Sequence, residues 1–164
     1  MSVRITGITV DVADAVRDLN LYTAWVKRKT EALARRLAEY GLKRVEVGYN
    51  AALYDGTKHI LLYVEQRSEN EFAIIADGST VLILEFGAGV RYGSGHPLAG
   101  QFGFGPGTYP NQKHAINPGY WYYTGEDGTG HHYSAGNAPS MVMYLTGMEL
   151  EREVERIARE VFST

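Results

Sequence analysis

Four of the five histidines, His96, His114, His131 and His132, fall between Gly87 and Pro139, and Glu126 and Asp127 lie in the same stretch. These are donor types that hold a zinc ion and activate water on it. Their spacing argues against that use. There is no HExxH, and the adjacent His131 and His132 would point to opposite sides of an extended backbone. Histidines hydrogen-bonded to loop backbone are the simpler expectation. Glu126-Asp127-Gly128 reads as a turn, because a glycosidase carboxylate pair must face across about 5–10 Å. The chain has no cysteine, which excludes thiolate zinc sites, disulfides and cysteine nucleophiles. Ser94, in Tyr92-Gly93-Ser94-Gly95, does not complete GxSxG. Gly103-Phe104-Gly105-Pro106-Gly107 is not GxGxxG, and its proline lacks an amide that a phosphate would need. The residues thus give no catalytic group, no metal ligand set and no cofactor site.

What does concentrate between Gly87 and Pro139 is aromatic surface: Tyr92, Phe102, Phe104, Tyr109, Tyr120, Trp121, Tyr122, Tyr123 and Tyr133, together with all five prolines. No helical or strand period survives there, so the stretch reads as one long irregular loop. Aromatic side chains need a surface to bury against, which speaks against simple disorder. Three uses stay open on the residues alone: wedging the loop onto a sheet, contacting another subunit or partner, and stacking sugars.

The elements that must position this loop can be read from periodicity. Ser2 to Val10 reads as a short opening strand. Val12, Val16, Leu19, Thr23, Val26, Leu33, Leu37 and Tyr40 recur every three or four residues, a helix stripe started by an Asp11 or Asp14 cap and ended at Gly41. Lys27, Lys29, Arg35, Arg36 and Glu39 make its solvated face. Arg44 to Asn50 alternates as a strand, and His59 to Gln66 reads as another. Glu71 to Ala76 and Thr80 to Phe86 read as a hairpin about Asp77-Gly78. A closing helix starts at Asn137-Ala138-Pro139-Ser140 and runs through Tyr144, Met148, Val154, Ile157 and Val161.

The length of 164 residues fits a single domain, 1–164, with an ordinary core. The 45% hydrophobic content excludes a largely disordered chain, and no run reaches the roughly 18 apolar residues of a membrane span. A net charge of −3 argues against gripping nucleic acid, which takes clustered Lys and Arg. The N-terminus lacks the pattern of a signal peptide, so the cytoplasm of the producing cell is expected.

About half of the chain carries a more specific pattern. Glu85-Phe86-Gly87-Ala88-Gly89-Val90, His96-Pro97, Gly105-Pro106-Gly107-Thr108-Tyr109 and Gly119-Tyr120-Trp121-Tyr122-Tyr123 occur in that order. They are followed by His131-His132-Tyr133-Ser134-Ala135-Gly136-Asn137-Ala138-Pro139-Ser140-Met141 and Met143-Tyr144. This resembles the neck or tail-completion proteins of long-tailed bacteriophages and prophages. The chain departs from that pattern at Gly119-Tyr120-Trp121, where the family has Gly-Trp-Trp, and at Asn137 and Ser140 to Met143, where it has a proline-containing run. The resemblance implies a virion protein that forms a homo-oligomeric ring joining head and tail, touches other neck and tail proteins, and has no catalytic site. DNA would only pass through the ring's lumen, and no membrane is involved. The protein would sit in the virion, and in the host cytoplasm during assembly.

The expectation is therefore an α+β domain. An antiparallel sheet is packed by a long N-terminal helix and a C-terminal helix, with a long Gly- and aromatic-rich loop at about 87–139. Tyr92, Phe102, Phe104, Tyr109, Trp121 and Tyr122 are the candidate assembly contacts. The competing readings are a glycan-binding module and a metal-dependent cell-wall hydrolase of phage origin.

Overall fold

A computed structural model of the chain describes residues 12–54, 56–88, 95–102, 121–124, 128, 131–134 and 136–163. The fold is mixed α+β: a two-stranded antiparallel sheet packs against a long N-terminal helix and a C-terminal helix. The expected strand Ser2 to Val10 lies outside the described residues.

Helix α1 runs from Ala13 to Ala51, 39 residues and about 58 Å at 1.5 Å per residue. It passes through Gly41, where the periodicity ended it, and through the expected Arg44 to Asn50 strand. The Arg44 to Asn50 strand is corrected to helix, and burial gives the reason. A strand would set Val45, Val47 and Tyr49 on one face, yet Val45 is 0% exposed and Val47 63%. The pair that shares the core is Val45 and Tyr49, four apart. Gly41 is no helix stop. It is buried where the side chains of Ile74 and Leu150 press against the helix backbone. Asp14 is not the cap: Val12 holds that position with no side-chain cap and Asp14 sits in the first turn, while Asp11 lies outside the described residues. The far end is capped from outside the helix, since Lys58 Nζ donates to the Tyr49 and Asn50 carbonyls at 2.7 and 3.1 Å.

Strands β1 (Leu61–Ser68) and β2 (Glu71–Asp77) pair antiparallel from Leu61↔Asp77 to Ser68↔Glu71, so the hairpin turn is Glu69-Asn70. Asp77-Gly78 instead leads into a short helix, α2 (Val81–Phe86), where a strand was expected. A six-residue run carries no period long enough to separate the two. The helical outcome buries Leu84 and Glu85 while Leu82 stays exposed.

The aperiodic stretch holds a 3-10 turn at Ala99–Phe102 and a second hairpin, β3 (Trp121–Thr124) with β4 (His131–Ser134), in register from Trp121↔Ser134 to Thr124↔His131. The reading of 87–139 as one irregular loop is corrected there; two four-residue strands are too short to show alternation. Helix α3 (Val142–Ser163) closes the chain. It runs back along α1: Val142 packs at Gly48, Leu150 at Gly41, and Lys29 Nζ donates to the Val161 carbonyl at 2.8 Å. Val45, Tyr49, Leu84 and Val142 form the core, where α1, α2, α3 and the first sheet meet. Among the described residues no helix is long and apolar enough to cross a membrane.

Candidate functional site

The most constrained polar group is the Glu85 side chain. It stands in the last turn of α2 within the apolar run Val81-Leu82-Ile83-Leu84, and the residue is 6% exposed. A carboxylate is retained in such a place only when its charge is met by donors. Three converge on it. Oε2 accepts the Met143 amide at 2.9 Å, and Oε1 accepts the Tyr144 amide at 2.9 Å and lies 3.2 Å from His96 Nε2. Met143 and Tyr144 are the second and third residues of α3, whose first amides have no acceptor within the helix. Glu85 thus caps α3 from a different element, with its charge at the positive end of the helix dipole.

His96 completes the arrangement, and the hydrogen bonds assign its tautomer. The Leu98 amide donates to Nδ1 at 3.2 Å, so Nδ1 carries the lone pair and Nε2 carries the proton given to Glu85. Both ring nitrogens are therefore engaged, and neither faces a substrate as a base or ligand. The ring packs against Phe86 at 4.3 Å and Tyr144 at 5.5 Å between centroids. Around this knot the chain is tied by backbone bonds. Ala88 and Asn137 exchange amides at 2.8 and 3.1 Å, and the Ser140 amide donates to the Leu84 carbonyl at 2.7 Å. Gly87 and Gly95 take positive φ of 82° and 83°, and Met141 does so at 52°, a conformation glycine favours, just before α3 begins. The Ala88–Asn137 bridge brings both ends of the 89–136 stretch to one place.

Among the described residues, the buried hydroxyls Tyr49 Oη and Thr80 Oγ1 near the core have no hydrogen-bond partner. Burial, reinforced by the Glu85 charge, raises the Tyr49 phenol well above its ordinary pKa, so it stays protonated. An open groove of about 490 Å³ runs between Gly48, Ala51, Ala52 and Leu53 at the end of α1 and residues 136–140. Among the described residues its lining holds no ionisable group. Among the described residues no three His, Asp or Glu side chains converge as a metal site.

Of the six candidate contacts, Phe102 is 60% exposed with its ring 5.7 Å from Phe86, so it stands on the Glu85–His96 knot and faces outward. Trp121 and Tyr122 are neighbours on β3, opposite Ser134 and Tyr133. Tyr92, Phe104 and Tyr109 lie outside the described residues, as do His114, Glu126 and Asp127. His131 and His132 both lie on β4. Sequence reasoning from residue types missed Glu85 as a structural group. Its signal was available: one acidic residue inside an otherwise apolar run. No protein family, curated protein or solved structure matches this chain.

Proposed function

We propose that this chain is a virion structural protein of a long-tailed bacteriophage, of the neck or tail-completion kind, and that it acts by assembling into a ring that joins head and tail. The observation that carries the reading is where the pattern's separated pieces go. Glu85-Phe86-Gly87, His96-Pro97 and Met143-Tyr144 stand up to 59 residues apart, yet buried Glu85, Phe86 and His96 meet half-buried Tyr144 in one knot. Both Glu85 carboxylate oxygens and both His96 ring nitrogens are engaged within the chain, which suits a rigid base for assembly better than a reacting site. The knot and the Ala88–Asn137 bridge hold the base of the aromatic-rich stretch, from which Tyr92, Phe102, Phe104, Tyr109, Trp121 and Tyr122 would contact neighbouring subunits or other neck proteins. A contact between two different patches of identical chains closes into a ring when its rotation divides the circle.

The test is the molar mass in solution, by light scattering behind a sizing column over a range of concentrations. A closed species of about six or twelve subunits is expected. Trp121→Ala should lower the stability of that species more than that of the monomer. A chain that forms no closed assembly, but whose tryptophan fluorescence is saturably quenched by oligosaccharide, would overturn the ring in favour of glycan binding.

A further inference from the structure

The charge of the chain is not spread evenly. Between Lys27 and Arg44, α1 holds seven Lys or Arg and two carboxylates, Glu31 and Glu39, a local charge of +5 in a chain of net −3. The fold sorts these cations. Lys29 donates to the Val161 carbonyl, and Arg44 pairs with Glu149 of α3 at 2.6 Å. Arg28, Arg35, Arg36 and Lys43 stay exposed. At 3.6 residues per turn they fall within about 100° of arc, centred about 120° around the helix from buried Ala38 and Val45. Exposed Ala32, one turn from each of the three arginines, sits among them in an open hollow of about 370 Å³. The carboxylates do not close it. Glu31 lies 3.3 Å from Arg35 and Glu39 3.9 Å from Arg36, exposed pairs of the kind an anion displaces at little cost. Arg28 and Lys43 have no carboxylate partner among the described residues. Glu160 of α3 borders the adjoining hollow beside Arg36 and Lys43 but is held by Arg156 at 2.6 Å.

We propose that this face of α1 binds the phosphate backbone of duplex DNA, without regard to base sequence. The inference stands on the charge and geometry of α1 and does not rest on the ring reading. A duplex offers about one negative charge per 1.7 Å of its axis, so four cations spread over about 22 Å of helix each find a phosphate. Three of the four are arginines, whose planar fork matches a pair of phosphate oxygens. Between Arg28 and Lys43 the face carries Ala32 as its only apolar side chain, so it lacks the buried anchors that hold a protein partner. It also presents no exposed aromatic ring there on which the bases of a single strand would stack. The net charge of the whole chain conceals such a face, because at about 0.1 M salt a phosphate feels charges only within about 10 Å.

The probe is a fluorescent duplex of arbitrary sequence, about 20 base pairs long, titrated with the full chain at several salt concentrations and followed by anisotropy. Four phosphate contacts give a slope of log affinity on log salt of about −3.6, or about a hundredfold loss between 50 and 200 mM salt. Arg28→Gln/Lys43→Gln should bind at least tenfold more weakly at the lower salt, with a slope nearer about −1.8. Its melting temperature should not change, since both side chains are exposed. Arg67→Gln/Arg159→Gln removes the same charge from arginines paired with Glu65 and Glu155, and should change the affinity less than twofold. Equal losses in the two variants would overturn the face in favour of diffuse attraction. A duplex that does not bind at the lower salt would overturn the proposal outright. Tighter binding of a single strand, or displacement of the duplex by polyglutamate as readily as by unlabelled duplex, would overturn the choice of partner. Ring formation is read separately, by mass: a ring without duplex binding overturns this inference and leaves the ring reading standing. Duplex binding by a chain that stays monomeric does the reverse.

Discussion

At the scale of single residues, the Glu85 carboxylate must accept from three directions at once, and only an ionised carboxylate does so. Glu85→Ala strips the Met143 and Tyr144 amides and the His96 N–H of their acceptor in a site 6% exposed. The loss should be about 3 kcal/mol, the range for breaking a buried charged group from its partners. Glu85→Gln is the sharper probe, because it is almost isosteric. Its amide must turn an NH₂ toward either the Met143 amide or the pair formed by Tyr144 and His96, so a donor meets a donor either way. Gln should therefore destabilise nearly as much as Ala, a drop in melting temperature of about 6–12 °C for a chain of this size. A Gln variant that melts with the wild type would show that the carboxylate's charge and second acceptor do nothing for α3.

Elements meet here through glycine. Gly41 and Gly48 are both interior to α1, where alanine is favoured over glycine by about 1 kcal/mol. What each methyl would meet differs. At Gly41 it reaches Ile74 Cδ1 and Leu150 Cδ1, the movable ends of longer side chains. At Gly48 it lies 2.6 Å from Val142 Cγ1, on a stiff β-branched residue at the first turn of α3. Gly41→Ala should come out near neutral, and Gly48→Ala should lose about 1–2 kcal/mol, as overpacking outweighs propensity; denaturant midpoints measured side by side would decide it. The same two glycines show where the sequence stopped being legible. The apolar stripe gave the existence of α1, and the hydrophobic periods gave β1, β2 and α3. Local punctuation then misplaced the end of α1, because Gly41 is present for close approach of α3 and β2, a tertiary fact. Val81 to Phe86 misled for a related reason: a short run buried by its surroundings looks alike as helix or strand. The Glu85 knot was visible only as fragments of a pattern, since nothing local says that Glu85 and Met143, 58 residues apart, are joined by one hydrogen bond.

For the whole molecule, α1 is a spine with two unlike halves. From Ala38 to Tyr49 it carries the core, contacting the first sheet on one side and α3 on the other, while residues 12–24 touch no core at all. Helix stability in water comes mainly from packing of an apolar face, so a bare four-turn extension is held by its own hydrogen bonds and the Asp14–Arg17 pair at 3.2 Å. Its first amides lack even those bonds. Amide exchange should then divide the helix. Amides at 38–49 should exchange only through global opening, on the order of 5–15 kcal/mol, because the Glu85 cap and the Ala88–Asn137 bridge tie α3 and the 84–88 segment to that half. Amides at 12–24 should exchange within about a hundredfold of an unstructured chain in dilute solution. Exchange followed by mass spectrometry in dilute solution reads both quantities. Uniform protection along α1 in the dilute sample would mean that the first half is packed against something in the monomer.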